Sequence, residues 1–167
     1  KDVCGVDTTT TTTSTTTTTE EAVPPHALAV LSDVCVTKSM GWWSFEVCVG
    51  RSVRQFHGNP PRPEDDHLLG KFDADATKAA KPKPYTAVEV FSGGASCGTG
   101  RQAKPRTARV TYRCALDADL VAIESVDESP LCQYNIRLAS SALCAVRGFR
   151  RNDDHLKVEW RCSSSPS

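Results

Sequence analysis

Cys132-Gln133-Tyr134-Asn135-Ile136-Arg137-Leu138 is the stretch that decides how this chain is read. Cys132, Tyr134, Ile136 and Leu138 alternate with Gln133, Asn135 and Arg137. Period two is the spacing of a strand with one face buried and the other wet. The same pattern lies upstream. Phe45, Val47 and Val49 alternate with Ser44, Glu46 and Cys48, and the alternation continues to Val53 and Gln55. Val110, Tyr112 and Cys114 alternate with Arg109, Thr111 and Arg113. Leu120 to Val126 reads as a more continuously apolar strand. Turn chemistry separates these runs at Gly58-Asn59-Pro60-Pro61, Ser92-Gly93-Gly94 and Glu128-Ser129-Pro130. Only Pro25 to Val34 carries a hint of helical period. Residues 74–84, rich in Ala, Lys and Pro, read as an exposed loop. The expected fold is all-β: a flattened barrel or two-sheet antiparallel sandwich.

Composition bounds the rest. The chain has 167 residues, with 20 Lys plus Arg against 20 Asp plus Glu. A neutral chain argues against a general nucleic-acid or anionic-membrane binder, since both need a positive field. Mean hydropathy is −0.35. The longest apolar run, Ala27 to Leu31, is far short of the roughly 18 residues that span a bilayer, so no direct membrane insertion is expected. The chain starts at Lys1 with no visible signal peptide and reads as a mature or excised fragment. Residues 8–19 are eleven threonines and one serine, with no apolar side chain to bury. That tract reads as a flexible linker, with an O-glycosylated spacer as the alternative. The expected division is a disordered Thr-rich segment over 1–22, a folded domain over 23–162 and a flexible tail over 163–167.

Eight cysteines stand at 4, 35, 48, 97, 114, 132, 144 and 162, with no CxxC pair among them. Zinc needs ligands in close pairs, so no metal site is expected. Dispersed cysteines in even number read as disulfides and place the chain in an oxidising compartment. Counting alone leaves about 105 pairings open.

No catalytic constellation stands out. Gly98-Thr99-Gly100 is too short to cradle a phosphate. Glu64, Asp65 and Asp66 read as a solvated charge run in a Pro-rich loop. Not an enzyme is therefore the reading, with no catalytic residue and no cofactor.

Strand parity gives a better lead. Gln55 shares parity with Val53, Val47 and Phe45, and Tyr134 with Ile136 and Leu138. Arg106 shares it with Val110 and Tyr112 if that strand runs unbroken. Three polar groups thus turn toward the apolar side at strand ends. A bulge or rim snorkelling accounts for this as well as a pocket in the barrel mouth does. Tandem Trp42 and Trp43 face opposite ways on a strand, which makes one a core ring and one exposed.

A family resemblance joins these features. Gly41-Trp42-Trp43-Ser44-Phe45-Glu46-Val47-Cys48-Val49-Gly50-Arg51 leads to Arg54-Gln55-Phe56-His57, Leu69-Gly70 and Phe91-Ser92-Gly93-Gly94-Ala95-Ser96-Cys97. Pro105-Arg106, Cys114, Glu128-Ser129-Pro130-Leu131-Cys132-Gln133-Tyr134 and Ala142-Leu143-Cys144 follow in order. In this order, from Cys35 to Cys144, the chain resembles the mannose 6-phosphate receptor homology domain, the P-type lectin fold. The tandem Trp and the Gln-Phe-His ending look most like the endoplasmic-reticulum degradation lectins, the amplified-in-osteosarcoma-nine and erlectin group.

The resemblance implies a lectin module for mannose-terminated high-mannose N-glycans. The signal would be exposed α1,6-mannose on misfolded glycoproteins, in the endoplasmic-reticulum lumen. It implies delivery to a membrane ubiquitin-ligase complex through its adaptor. It places the sugar contacts at Gln55, Arg106, Glu128 and Tyr134, and gives Trp42 and Trp43 an extended mannose arm. It pairs Cys35 with Cys48, Cys97 with Cys132, and Cys114 with Cys144. Cys4 and Cys162 lie outside the family pattern, left to pair with each other or to bond a partner. Competing readings are a targeting subunit of glucosidase II or of the lysosomal-sorting phosphotransferase, a phosphomannose sorting receptor, and a purely structural disulfide-rich domain. The basic stretch Arg101, Lys104, Arg106, Arg109 and Arg113 reads as a solvated strand face, while keeping the phosphomannose reading open.

Overall fold

The computed structural model describes residues 23–24 and 26–150. The Thr-rich tract, Cys4, Cys162 and the tail fall outside these residues, as does the end of the expected 23–162 domain.

A 3₁₀ turn at Ala27–Leu31 precedes β1 (Cys35–Met40), β2 (Trp43–Cys48), β3 (Ser52–Gly58) and β4 (Pro61–Phe72). A short helix α1 (Ala74–Ala79) leads to β5 (Thr86–Gly93), and the two-residue strands β6 (Ser96–Cys97) and β7 (Lys104–Pro105) pair with each other. The chain continues through β8 (Thr107–Cys114), β9 (Ala122–Glu128) and β10 (Gln133–Ser140). Eight strands form one sheet in the order β1-β2-β3-β4-β5-β8-β10-β9. Its edges, β1 and β9, come together. Lys38 of β1 donates its Nζ proton to the Ile123 carbonyl of β9 at 2.9 Å across this seam. The sheet is thus a nearly closed barrel. Lys38 also occupies an edge carbonyl that would otherwise lack a partner.

Alternation sorts the side chains as it does on any pleated strand. Phe45, Val47, Val53, Phe91, Val110, Tyr112, Ile136 and Leu138 fill the interior, with Leu31 and Leu143 of the 3₁₀ turns closing over it. The run from Phe45 to Gln55 is two strands, not one. A reversal with Gly50 at φ +67° joins them. Inward parity survives because Phe45 faces Gln55 and Val47 faces Val53 across the hairpin.

Other expectations are corrected. One pair, β8 with β10, is parallel. Alternation cannot distinguish strand direction. Here β9 goes to the edge and β10 returns between it and β8. Leu120 is exposed, and the strand assigned to Leu120–Val126 runs instead from Ala122 to Glu128. The loop assigned to 74–84 begins with helix α1. Its N-cap is Asp73, whose Oδ1 accepts the Ala76 N–H at 2.9 Å. Asp73 Oδ2 accepts the Ser92 hydroxyl at 2.6 Å, which ties the cap to β5. Of the helical hint over Pro25–Val34, the described residues 26–34 hold a single 3₁₀ turn, Ala27–Leu31. Glu64, Asp65 and Asp66 lie on β4 rather than in a loop. Asp66 accepts both fork N–H groups of Arg54, at 2.6 and 2.8 Å.

Among the described residues three disulfides close the frame: Cys35–Cys48 across β1 and β2, Cys97–Cys132, and Cys114–Cys144. They are the three pairings that the resemblance implies.

Glu89 of β5 is a carboxylate buried beside β8, at 6% exposure. Its Oε2 accepts the Tyr112 hydroxyl at 2.6 Å and the Gly50 N–H at 3.1 Å. Burial raises the Glu89 carboxyl above its usual range, against those two hydrogen bonds. Burial first, and Glu89 second, lift the Tyr112 phenol well above its ordinary value. The folded chain therefore holds the Glu89 proton to higher pH than the unfolded chain does. This group's stabilising share is fully present below its unfolded value of 4.5 and is lost as pH rises through the raised folded value. Glu89→Gln cannot ionise. It should gain stability relative to the parent as pH rises from about 4 to about 7, measured by urea unfolding across that range. A stability difference that stays constant with pH would contradict this linkage.

Candidate functional site

The four side chains expected at a site arrive from four different places in the chain. Gln55 lies on β3 with its side chain inside the barrel, at 6% exposure. Tyr134 lies on β10 at 4% exposure. Its hydroxyl reaches across the interior and donates to Gln55 Oε1 at 3.3 Å. Phe45 rests beside the phenol, ring centroids 6.5 Å apart.

Glu128 closes β9 and faces Tyr134 directly in the antiparallel register. Directly opposed residues share a face. The loop after it holds the carboxylate. Glu128 Oε1 accepts the Cys132 N–H at 2.8 Å. Cys132 takes a left-handed backbone at φ +71° and is bridged to Cys97. Its carbonyl accepts the Thr107 N–H at 3.1 Å, where β8 starts. The four-residue spacing from Glu128 to Cys132 thus has a physical reason: it lets the carboxylate cap its own turn. Parity could not place Glu128, because the turn at Pro130 interrupts the alternation.

Arg106 sits between β7 and β8, so the strand assumed for its parity is broken just there. Its backbone is clamped instead. Arg106 N–H donates to the Ala95 carbonyl, and Gly94 N–H donates to the Arg106 carbonyl, both at 3.0 Å. The Arg106 guanidinium donates to the Ser96 carbonyl. Its Nε is buried with no acceptor among the described residues. An unpartnered buried donor costs about 1–3 kcal/mol, a cost most often met at functional sites.

Tyr134 records how these groups converge. Burial raises its phenol above the ordinary value. Arg106 pulls it down, and Glu128 pushes it up. Gln55 by its hydrogen bond, and Arg106 and Glu128 by their electrostatic effect, thus act on one hydroxyl, at the barrel end where Tyr134, Ala108 and Phe91 stand in register. One cation, one anion, one amide and one phenol meet there. The chemistry of such a set suits a neutral, hydroxyl-rich molecule, because every hydroxyl both donates and accepts.

The two tryptophans part company. Trp42 is in the β1–β2 turn, 63% exposed, stacked on His57 with centroids 3.6 Å apart and planes 15° apart. The His57 Nδ1 lies 2.6 Å from the Trp42 carbonyl oxygen. Trp43 starts β2, half-buried, and tilts against His67 at 5.7 Å. His67 is the register partner of Gln55, which sets Trp43 on the same side of the sheet as the polar cluster. Neither histidine figured among the expected site residues. The Gln-Phe-His ending held a signal for His57, whereas His67 had none. Arg109 and Arg113 alternate outward, away from this cluster, as the solvated-strand reading expects.

The comparisons agree with the fold. Residues 33–97 match the family model described as glucosidase II beta subunit-like protein. The MRH domain of glucosidase II beta bound to mannose superposes with a TM-score of 0.50 at 26% identity, covering 70% of this chain and 99% of that one. The chain carries a mannose 6-phosphate receptor homology (MRH) domain. The MRH domain of Yos9, complexed with alpha3,alpha6-Man5, shares the fold with a TM-score of 0.57 at 22% identity, over 76% of this chain and 86% of that one. The MRH chain is 28% identical over 152 residues to a protein OS-9 homolog of Oryza sativa subsp. japonica, 81% of this chain and 49% of that protein. Protein OS-9 of Mus musculus is 31% identical over 133 residues, 72% of this chain and 19% of that protein. The chain thus spans about half of the rice relative and a fifth of the mouse one.

Within this MRH domain, Gly94 sets how closely the Arg106 backbone approaches. A Cβ there would lie 2.5 Å from the Leu69 carbonyl oxygen and 2.7 Å from the Arg106 carbonyl oxygen. Both neighbours are backbone and cannot swing aside. Gly94→Ala should therefore cost about 1–3 kcal/mol of stability, read from the shift of the urea midpoint. An unchanged midpoint would mean that the Arg106 segment is not held as described.

Proposed function

We propose that this chain is a lectin module that binds mannose-terminated high-mannose N-glycans. The convergence of Gln55, Arg106 and Glu128 on the Tyr134 hydroxyl carries this reading. Glu128 has one carboxylate oxygen engaged by Cys132 N–H. Its second oxygen accepts from one sugar hydroxyl. The guanidinium of Arg106 donates to a neighbouring hydroxyl, and Gln55 and Tyr134 do either. Opposite charges on adjacent hydroxyls fix the hand of the ring and leave the site neutral, as a neutral sugar requires. Trp42 and Trp43 offer apolar faces to the C–H side of further residues of the mannose arm. Support comes from the mannose-bound glucosidase II beta domain, which is similar in sequence and fold, and from the OS-9 relatives.

On this reading the ligand is exposed α1,6-mannose on misfolded glycoproteins in the endoplasmic-reticulum lumen. The module presents them for endoplasmic-reticulum-associated degradation through the adaptor of a membrane ubiquitin-ligase complex. It performs no chemical step: its work is recognition. Phosphomannose recognition has less support, since Arg109 and Arg113 face outward from the cluster. The domain division proposed is a Thr-rich segment over 1–22, the lectin domain over 23–162 and a tail over 163–167.

The disulfide-bonded chain should bind high-mannose glycans with exposed α1,6-mannose on a glycan array, in preference to phosphomannose. Glu128→Gln should weaken that binding by roughly tenfold to a hundredfold, the worth of a charge-assisted hydrogen bond. Preference for phosphomannose, or full binding by the variant, would contradict the assignment.

A further inference from the structure

A second surface lies on the opposite side of the sheet from the polar cluster. Outward residues of β5, β8, β9 and β10 floor a groove of about 490 Å³. Among the described residues, five cations line it, Lys81, Lys83, Arg109, Arg113 and Arg137, against one carboxylate, Glu124. In a chain with no net charge, this concentrates positive potential on one face. Arg137 stands level with Thr111, between Arg109 and Arg113 on the neighbouring strand. Lys81 and Lys83 overhang from the segment between α1 and β5. Pro82 and Pro84 fix the backbone there, and Arg109 donates to the Lys81 carbonyl at 3.2 Å.

The groove already holds one carboxylate. Arg113 grips Glu124 with two fork N–H groups, one at 2.8 Å from Nε. Glu124 is held below the usual carboxylate range by Arg113 first, with Arg137 and Lys38 adding to it. Lys81, Lys83 and Arg137 have no ion-pair partner of their own among the described residues.

We propose that this groove is a docking site for an acidic polypeptide segment, independent of the glycan site. Spacing selects that partner. Arg109 and Arg113 are four strand residues apart, about 13 Å. Such cations suit carboxylates spread along an extended chain better than one compact phosphate. Hydroxyl and amide groups of Thr86, Thr111, Ser125 and Asn135 lie between the charges and offer partners for a peptide backbone. Among the described residues no aromatic side chain lines the groove, so these supply no stacking platform of the kind that holds single-stranded nucleic acids.

The test uses the full disulfide-bonded chain and a fluorescent decaglutamate peptide, followed by anisotropy. Heparin hexasaccharide and a short single-stranded DNA serve as competing anions. The triple variant Lys81→Glu, Lys83→Glu, Arg137→Glu changes only exposed side chains, and its near-ultraviolet circular dichroism checks the fold. The triple Gln variant of the same positions serves if the reversal perturbs it. Peptide binding should weaken with salt and fall roughly tenfold or more in the variant, while mannose-glycan binding by the same variant stays unchanged. Equal peptide affinity in parent and variant would overturn the proposal. So would absence of peptide binding, and so would binding of heparin or DNA in place of the peptide.

Discussion

Strand β10 is registered on both sides, and the site depends on that double hold. On one side it runs parallel to β8, which sets Tyr134 beside Ala108. On the other it runs antiparallel to β9, which sets Tyr134 opposite Glu128. A slip of one residue on either side would turn Tyr134 out of the barrel or Glu128 off its face. Two disulfides sit at the two ends of this arrangement. Cys97–Cys132 pins the turn where β10 begins, and Cys114–Cys144 joins the end of β8 to the 3₁₀ turn after β10. By limiting the unfolded chain, each contributes roughly 2–4 kcal/mol. Their placement matters more for the site than their number, because they hold the two strands whose relative register makes it.

The barrel interior is polar toward both ends and apolar between. At one end Gln55 and Tyr134 meet beneath Arg106 and Glu128. Toward the other, Glu89 takes hydrogen bonds from Tyr112 and Gly50. The two have different character. Glu89 has its donors within the fold and lies inside a packed wall. The Tyr134 cluster sits at a strand end, carries an unpartnered Arg106 Nε and holds Glu128 only at the surface. The first arrangement is satisfied by the protein itself, and the second leaves hydrogen-bonding capacity for a ligand.

Much of this was legible in the residues. Alternation around Cys132–Leu138 and Phe45–Val53 identified inward faces, and Gln55 and Tyr134 followed from it because they continue an apolar row. Direction was not legible, since a parallel and an antiparallel strand alternate alike, so β8 with β10 escaped. Arg106 was placed inward on an assumed continuous strand. In fact two backbone hydrogen bonds to Gly94 and Ala95 hold it at a strand break. Helix α1 was missed because the Ala, Lys and Pro content of 74–84 reads as loop, and the Asp73 cap lies just outside that segment. The outer groove was missed because its cations come from three separate segments, and only the sheet brings them together.

The proposed function requires one sugar to meet Gln55, Arg106, Glu128 and Tyr134 together. The most direct measurement is a nuclear magnetic resonance titration of the disulfide-bonded chain with methyl α-mannoside. Side-chain amide signals of Gln55, the guanidinium of Arg106 and the backbone amides of Cys132 and Tyr134 should shift together along one binding curve, while amides around Glu89 stay in place. Shifts confined to other parts of the barrel, or none from these four positions at saturation, would contradict the account.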